Sequence, residues 1–253
     1  MIFCFLIIFI SSCTTSYFLK PELNDDNDEI VYIDGKEVII SHSVSFVVAL
    51  YGYISTNSEL IFHVLFKNID PKNRYNIIPE DIQVIGYNSQ GISKSFKVYS
   101  ADEYIKKIRN SQTLALAFQA MAGSMEAYQA GKQTNNTYGS LYGSDGTSYS
   151  GYSSSTTFDY SAQAEANARN NAELQKTASQ YSQIRSSTEQ GLLKANTVFP
   201  DQVVEGNIVV KIDQIYTLKY EVLIPAGNDI HRVIFLPTLP QGKIKPEIKL
   251  QTW

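Results

Sequence analysis

The chain has 253 residues, 43% of them apolar and 12% aromatic, and a formal net charge of -4. That length and apolar fraction suit one sandwich-sized core with an appendage and exclude several large domains. No cationic block and no basic patch interleaved with aromatics is present, so the phosphate-neutralising charge that a nucleic acid requires is missing.

In chain order, an apolar run from Ile2 to Ile10 leads into Ser11, Ser12 and Cys13, followed by the polar Thr14-Thr15-Ser16. The run falls far short of the roughly 20 residues that span a bilayer, so it reads as an address and not as a membrane helix. The order apolar, small, small, Cys resembles the lipobox signal of bacterial lipoproteins, although no Lys or Arg precedes the run. The resemblance implies that residues 1–12 are removed and that Cys13, lipidated on sulfur, becomes the first mature residue and ties the chain to a membrane. Cys4 leaves with the signal, so no thiol remains for a disulfide, a metal or catalysis. The location implied is the cell envelope, and Thr14, standing where inner-membrane lipoproteins carry an acidic residue, favours the outer membrane. Residues 13–29 turn polar and acidic, ending in Asn24-Asp25-Asp26-Asn27-Asp28-Glu29, and are expected to form a solvated tether. This acidic cluster lacks the turn Gly and distal Glu of an EF-hand loop, so no metal is assigned to it.

From residue 30 to 100, short runs rich in β-branched and aromatic residues predict antiparallel strands. They are Val38 to Ile40, Val44 to Tyr53, Leu60 to Phe66, Ile82 to Ile85 and Phe96 to Val98. Turn residues at Asp34-Gly35, Asn57-Ser58, Asp70 to Asn73 and Asn88 to Gly91 separate them. The same pattern returns in residues 197–253 at Val203 to Ile212, Tyr216 to Ile224 and Arg232 to Leu236.

Between these halves the period changes, and residues 101–196 are read as a helical hairpin insertion. From Ala101 to Gly131, Ile105, Ile108, Ala115, Phe118, Ala122 and Met125 share one helical face. From Tyr160 to Asn196, Leu174, Ala178, Tyr181, Ile184 and Thr188 form a narrower stripe, and two such stripes suit two helices packed on each other. At about 1.5 Å per residue each arm runs about 45 Å. The alanine-rich contact buries little area, which at about 25 cal/mol per Å² is a weak core. The small residues also admit a second copy of the chain, so a homo-oligomer is a further expectation. Residues 134–157, nearly all Gly, Ser, Thr, Asn and Tyr, are expected to be disordered for want of apolar surface. Tyr set among Ser and Gly is also a vocabulary of binding loops, which makes Tyr138, Tyr142, Tyr149 and Tyr152 the candidate partner-binding residues.

Val64-Leu65-Phe66-Lys67-Asn68 is similar to the V-x-F-x-N strand of immunoglobulin-like domains common in bacterial envelope lipoproteins, and Phe199-Pro200-Asp201-Gln202-Val203-Val204-Glu205-Gly206 to their F-P-G-x-x-V-x-G segment. Asp201 replaces the usual Gly, and Val222-Leu223-Ile224-Pro225 fits the closing strand. The resemblance implies an immunoglobulin-like antiparallel β-sandwich, interrupted by the hairpin, and implies no reaction. Within it, Phe199 is expected to anchor the turn in the core, and Gly206 to mark a bulge or a close backbone approach.

For catalysis there is no G-x-S-x-G, no H-E-x-x-H and no P-loop, and His42, His63 and His231 are isolated in sequence. Pro79-Glu80-Asp81 reads as a turn, while Asp102 and Glu103 sit at a helix N-terminus that favours negative charge. Met121 and Met125 are expected to fill a small-residue helix contact. The expectation is a non-enzymatic envelope lipoprotein without cofactor or metal, its hairpin tip meeting another envelope protein. Two other readings stay open: an envelope hydrolase or metal-dependent enzyme with a site assembled from distant loops, and oligomerisation through the hairpin.

Overall fold

A computed structural model describes residues 17–55, 59–142, 144, 148–212 and 217–238. The chain divides into two compact units, residues 1–104 with 191–253, and residues 105–190.

The first unit is built from β1 (Tyr17–Glu22), β2 (Asp28–Ile33), β3 (Lys36–His42), β4 (Phe46–Ile54), β5 (Glu59–Asn68), β6 (Tyr75–Ile77), β7 (Gln83–Tyr87) and β8 (Ser93–Phe96) before the insertion. In the second unit follow α1 (Ala101–Gly131, starting just before the boundary), β9 (Lys132–Tyr142), β10 (Ser148–Phe158) and α2 (Tyr160–Gly191). The first unit resumes with β11 (Asn196–Val198), β12 (Val203–Lys211), β13 (Lys219–Ala226) and β14 (Asp229–Thr238).

Strands of the first unit form one large antiparallel sheet in the order β12-β5-β4-β1-β14-β13-β7-β8, with β2 paired to β3 and β3 to β4. One side of β4 is shared: Val47 to Leu50 pair with β3, while Tyr53 and Ile54 pair with β1. The sheet divides at that point, and its two halves enclose a common sandwich-like core that includes Leu50, Phe62 and Phe66 from one half and Val84, Val222 and Phe235 from the other. Phe62 and Phe235 meet across it with ring centroids 5.3 Å apart and ring planes tilted by 45°. Alternation explains the burial, since β4 and β5 turn every second residue inward.

Residues 17–22 are a strand and not tether. Leu19 and Pro21 point into the protein, and β1 runs along β14 through five register pairs. Pro21 is tolerated because β4 pairs with Tyr17 and Phe18 alone, so a missing N–H there breaks no ladder to β4.

Turn chemistry follows the side chains. Asp34 and Gly35 both take positive φ (49° and 74°) in the two-residue turn between β2 and β3, as a type I′ hairpin requires. The Asp70 carboxylate accepts hydrogen bonds from the Lys72 and Asn73 amides, the Asn73 side chain and the Tyr75 hydroxyl at 2.7–3.2 Å. Led by the Asn73 bond, these hold its pKa well below the ordinary aspartate value. Glu221, buried on β13, accepts from Tyr87 Oη at 2.5 Å and from Arg232. Burial works to raise its pKa, and these two partners outweigh burial and lower it.

Asn68 closes the V-x-F-x-N segment and is fully buried. Its amide donates to the carbonyls of Asn73 (2.8 Å) and Val198 (3.0 Å), and its Oδ1 accepts from the Asp70 amide (2.9 Å). Its backbone exchanges bonds with Asp201 and Gln202. The turn so gripped has Pro200 at its second position and Asp201 at φ 60°, closed by Gln202 N–H to Phe199 O at 3.0 Å, the pattern of a type II turn that normally places Gly where Asp201 stands. Phe199 is half exposed and not a core anchor; Val198, one residue earlier, is the buried one. Gly206 marks a close approach and no bulge: β12 keeps unbroken register with β5 around it, and a Cβ at 206 would lie 2.6 Å from the Leu193 backbone.

In the second unit, α1 and α2 run antiparallel, ending at Gly191 and not at Asn196. The apolar stripe that the sequence suggests is the less exposed side of α2, where Leu174, Ala178, Tyr181 and Thr188 are partly buried and Ile184 is exposed, but on α1 it holds for Ile105 and Ile108 alone, and Ala115, Phe118, Ala122 and Met125 are exposed. Gln112 donates to the Tyr181 carbonyl and accepts from Arg185, Gln119 meets Thr177, and Asn170 donates to the Gly123 carbonyl at 2.7 Å. Among the described residues of the two helices, Ile105, Ala127, Gly131 and Ala166 are the buried ones. Amide side chains at Gln112, Gln119 and Asn170 occupy this seam, and Leu114, Phe118, Met121 and Met125 of α1 point away from it into solvent.

Replacing Asn68 by Ala strands the buried Val198 carbonyl and removes the partners of the partly buried Asn73 carbonyl and Asp70 amide. The loss expected is about 3 kcal/mol, read as a lower denaturation midpoint in urea; an unchanged midpoint would contradict the role given to Asn68.

Candidate functional site

Cys13 lies outside the described residues, as does all of the lipobox. The tip, expected to be disordered, is instead an antiparallel ribbon in which β9 and β10 pair from Lys132↔Phe158 to Tyr142↔Ser148. A lone two-stranded ribbon is marginal in water, but here both ends continue directly into helices, which lowers the entropy of bringing the strands together. The base is packed and capped. Phe158 lies between Tyr128 (5.6 Å) and Tyr160 (5.0 Å). The Asp159 carboxylate accepts from the Ser161 and Ala162 amides at the start of α2, and these bonds lower its pKa.

Tyr138 and Tyr152 are brought together as a directly opposed cross-strand pair, ring centroids 5.0 Å apart, with the Tyr152 hydroxyl donating to Asn136 Oδ1 at 2.9 Å. They remain 80% and 58% exposed. The Tyr142 and Tyr149 backbones stand opposite Ser148 and Leu141, and their side chains lie outside the described residues. The sequence reading therefore found the ribbon's tyrosines but not their pairing.

A second surface on the same unit escaped it. Leu114, Phe118, Met121, Met125 and Tyr128 of α1 are all 57–66% exposed, so Phe118, Met121 and Met125 do not fill the contact with α2. The spacing of four, three, four and three residues was the available signal; it was masked by the expectation that large apolar residues face the nearest helix.

Isolated histidines in the sequence acquire partners in the fold. His63 Nδ1 lies 3.1 Å from Asn207 Oδ1 and its Nε2 3.6 Å from Glu205, and His42 lies 3.6 Å from Glu29. His231 is 3% exposed on β14, with Nδ1 3.0 Å from Ser41 Oγ on β3. Its Nε2, together with Asp28 Oδ2 and Asp229 Oδ2, is buried without a hydrogen-bond partner. Burial pushes the His231 pKa down, opposed by Asp229 and Asp28 and reinforced by His42. A serine, an imidazole and carboxylates thus share one region, but the serine is as closed off as the imidazole. Among the described residues, no group of three or more His, Cys, Asp or Glu side chains is placed to hold a metal ion.

Carboxylate pairs are accounted for structurally. Glu80 and Asp81 lie in a short 3-10 helix, Pro79–Asp81. Ser100 and Glu103 form a capping box, Glu103 N–H to Ser100 Oγ at 3.1 Å and Ser100 N–H to Glu103 Oε2 at 3.4 Å. Lys97 donates to Glu103 at 2.8 Å and is the main cause of its lowered pKa. Glu80, Lys97, Ser100 and Glu103 line an open groove with Ile82, Ser95 and Val98. Among the described residues no helix is long and apolar enough to cross a membrane.

No family model, no curated protein and no solved structure matches the chain.

His231 supplies a pH test. With its folded pKa below the ordinary histidine value of 6.5, its neutral form stabilises the fold above that value, and the contribution is lost as pH falls through the folded pKa. The urea midpoint should therefore drop as pH falls below about 6.5, ahead of the loss at Asp70, whose stabilising contribution is lost as pH falls through the ordinary aspartate range and on toward its depressed folded pKa. His231→Gln should remove the first part of that slope; an identical slope in the variant would exclude His231 as its source.

Proposed function

We propose that the protein is a lipid-anchored, non-enzymatic binding module of the bacterial cell envelope, fastened to the outer membrane through Cys13 and contacting another envelope protein through the ribbon that carries Tyr138, Tyr142, Tyr149 and Tyr152. The anchor and location rest on the lipobox order Ile10-Ser11-Ser12-Cys13 and on Thr14. The scaffold reading, an immunoglobulin-like sandwich, is supported by two sheet halves around one core and by Asn68, which satisfies the segment that resembles that family.

One observation carries the contact surface. Tyr138 and Tyr152 are large rings, held opposite each other by strand register, yet left in solvent on a ribbon whose remaining residues are mostly Ser, Thr, Asn and Gly. Rings of this kind supply wide contact area at low entropic cost, because each has only two side-chain torsions to fix. Their hydroxyls can bond a polar partner while the ring faces are covered.

A photo-crosslinking residue at position 152, read in intact cells, should yield a discrete adduct that Tyr138→Ala removes, and Cys13→Ser should release the chain from the membrane fraction. The same adducts from a probe at the exposed Lys176 of α2, or adducts indifferent to Tyr138, would overturn the assignment of the ribbon. A Cys13→Ser chain that still fractionates with membranes would overturn the anchor.

A further inference from the structure

The outward face of α1 has properties that the ribbon does not explain. Leu114, Phe118, Met121, Met125 and Tyr128 follow one another at the alternating four-three spacing that keeps side chains on a single seam of a supercoiled helix pair. All five are exposed by 57–66%, although the Tyr128 ring also meets Phe158 at the ribbon base. Isolated exposed apolar residues are ordinary, but five in a continuous row over a helix are not. The positions flanking the row, Ala115, Ala117, Ala122 and Ser124, are small, which lets another helix approach closely. From Asn110 to Met125 there is no charged residue at all.

We propose that this face binds the same face of a second copy of the chain, forming a twofold dimer through α1. Three observations select that occupant. An isologous contact must be self-complementary, and an uncharged row meets its own copy without like-charge repulsion. The row is symmetric about Met121, three and seven residues from Phe118 and Leu114 on one side, four and seven from Met125 and Tyr128 on the other. Met121 therefore meets Met121 of the second copy whether the helices pair parallel or antiparallel. The area is also sufficient. Large side chains of about 150–250 Å², roughly 60% exposed, offer on the order of 500 Å² per copy from five residues, so the row with its flanking small residues brings the pair to on the order of 1,000 Å², the threshold that a specific interface must clear. A lipid surface is the poorer fit, because helices that lie in the interfacial plane carry Lys and Arg beside the apolar row, and this stretch carries none.

This inference is independent of the ribbon's role, and the test keeps them apart. It uses the full chain with Cys13→Ser, which takes the lipid out of the measurement, and follows mass by sedimentation equilibrium at micromolar concentration. The expected result is two copies per particle. Phe118→Glu with Met125→Glu should give one copy at unchanged far-ultraviolet helicity, since both side chains are exposed. Tyr138→Ala with Tyr152→Ala should leave two copies. Met121→Cys, with Cys4→Ser added, should form an intermolecular disulfide on mild oxidation. A monomeric parent, a double Glu variant that still pairs, or loss of pairing in the tyrosine variant would each overturn the proposal. So would a monomeric parent that binds phosphatidylcholine vesicles through Phe118, which would assign the face to lipid.

Discussion

The fold depends on β12 serving two sets of contacts at once. It pairs with β5 through nine consecutive residues, Val203↔Lys67 to Lys211↔Glu59, which joins chain segments separated by the whole insertion. It also holds the points where the chain leaves and returns. On departure, Val98 bridges to Val210 and the Tyr99 amide donates to the Val209 carbonyl at 2.9 Å. On return, Leu192 bridges to Asn207 and the Leu193 amide donates to the Asn207 carbonyl at 2.9 Å. Leu193 passes so close to Gly206 that no side chain fits there. Loop-closure entropy grows only logarithmically with length, so a sheet clamped in this way tolerates a long insertion at little further cost.

The two units are stabilised by different physics. In the sheet, fully buried Phe62, Phe66, Leu50, Val222 and Phe235 are joined by polar groups that are satisfied within the protein, Asn68 and Glu221 foremost. In the helical unit the seam includes amide-to-carbonyl bonds and the small buried Ala127 and Ala166, and Leu114, Phe118, Met121 and Met125 face solvent. An arrangement that turns apolar surface outward forgoes part of its own burial, and the natural compensation is contact with another molecule. The dimer contact proposed for α1 and the partner contact proposed for the ribbon would both place recognition on the less self-sufficient unit, where opening is cheaper.

Much of this was legible in the residues. Alternation marked β3, β4, β5, β7 and β12 to β14, and the change of period at Ala101 and Gly131 marked α1, because both signals come from burial of one face. Strand β1 was hidden by Pro21 and by the polar company of the residues after it. The ribbon was hidden because its order derives from the helices at its base and not from its composition. The orientation of α1 was hidden because Gln112, Gln119 and Gly123, which read as polar or helix-weakening, make the seam with α2. The pairing of His231 with Ser41 spans 190 residues and leaves no local trace.

The central claim is that a cooperative sheet clamped by β12 carries a helical unit with weak internal packing of its own. Native-state hydrogen exchange, resolved by element, tests it most directly. The account predicts that amides of β4, β5 and β12 exchange slowest, and those of α1 and α2 between residues 105 and 190 at least about 100-fold faster, with dilution below the dimer range widening the gap. Helical amides as slow as those of β5, at concentrations where the chain is monomeric, would contradict it.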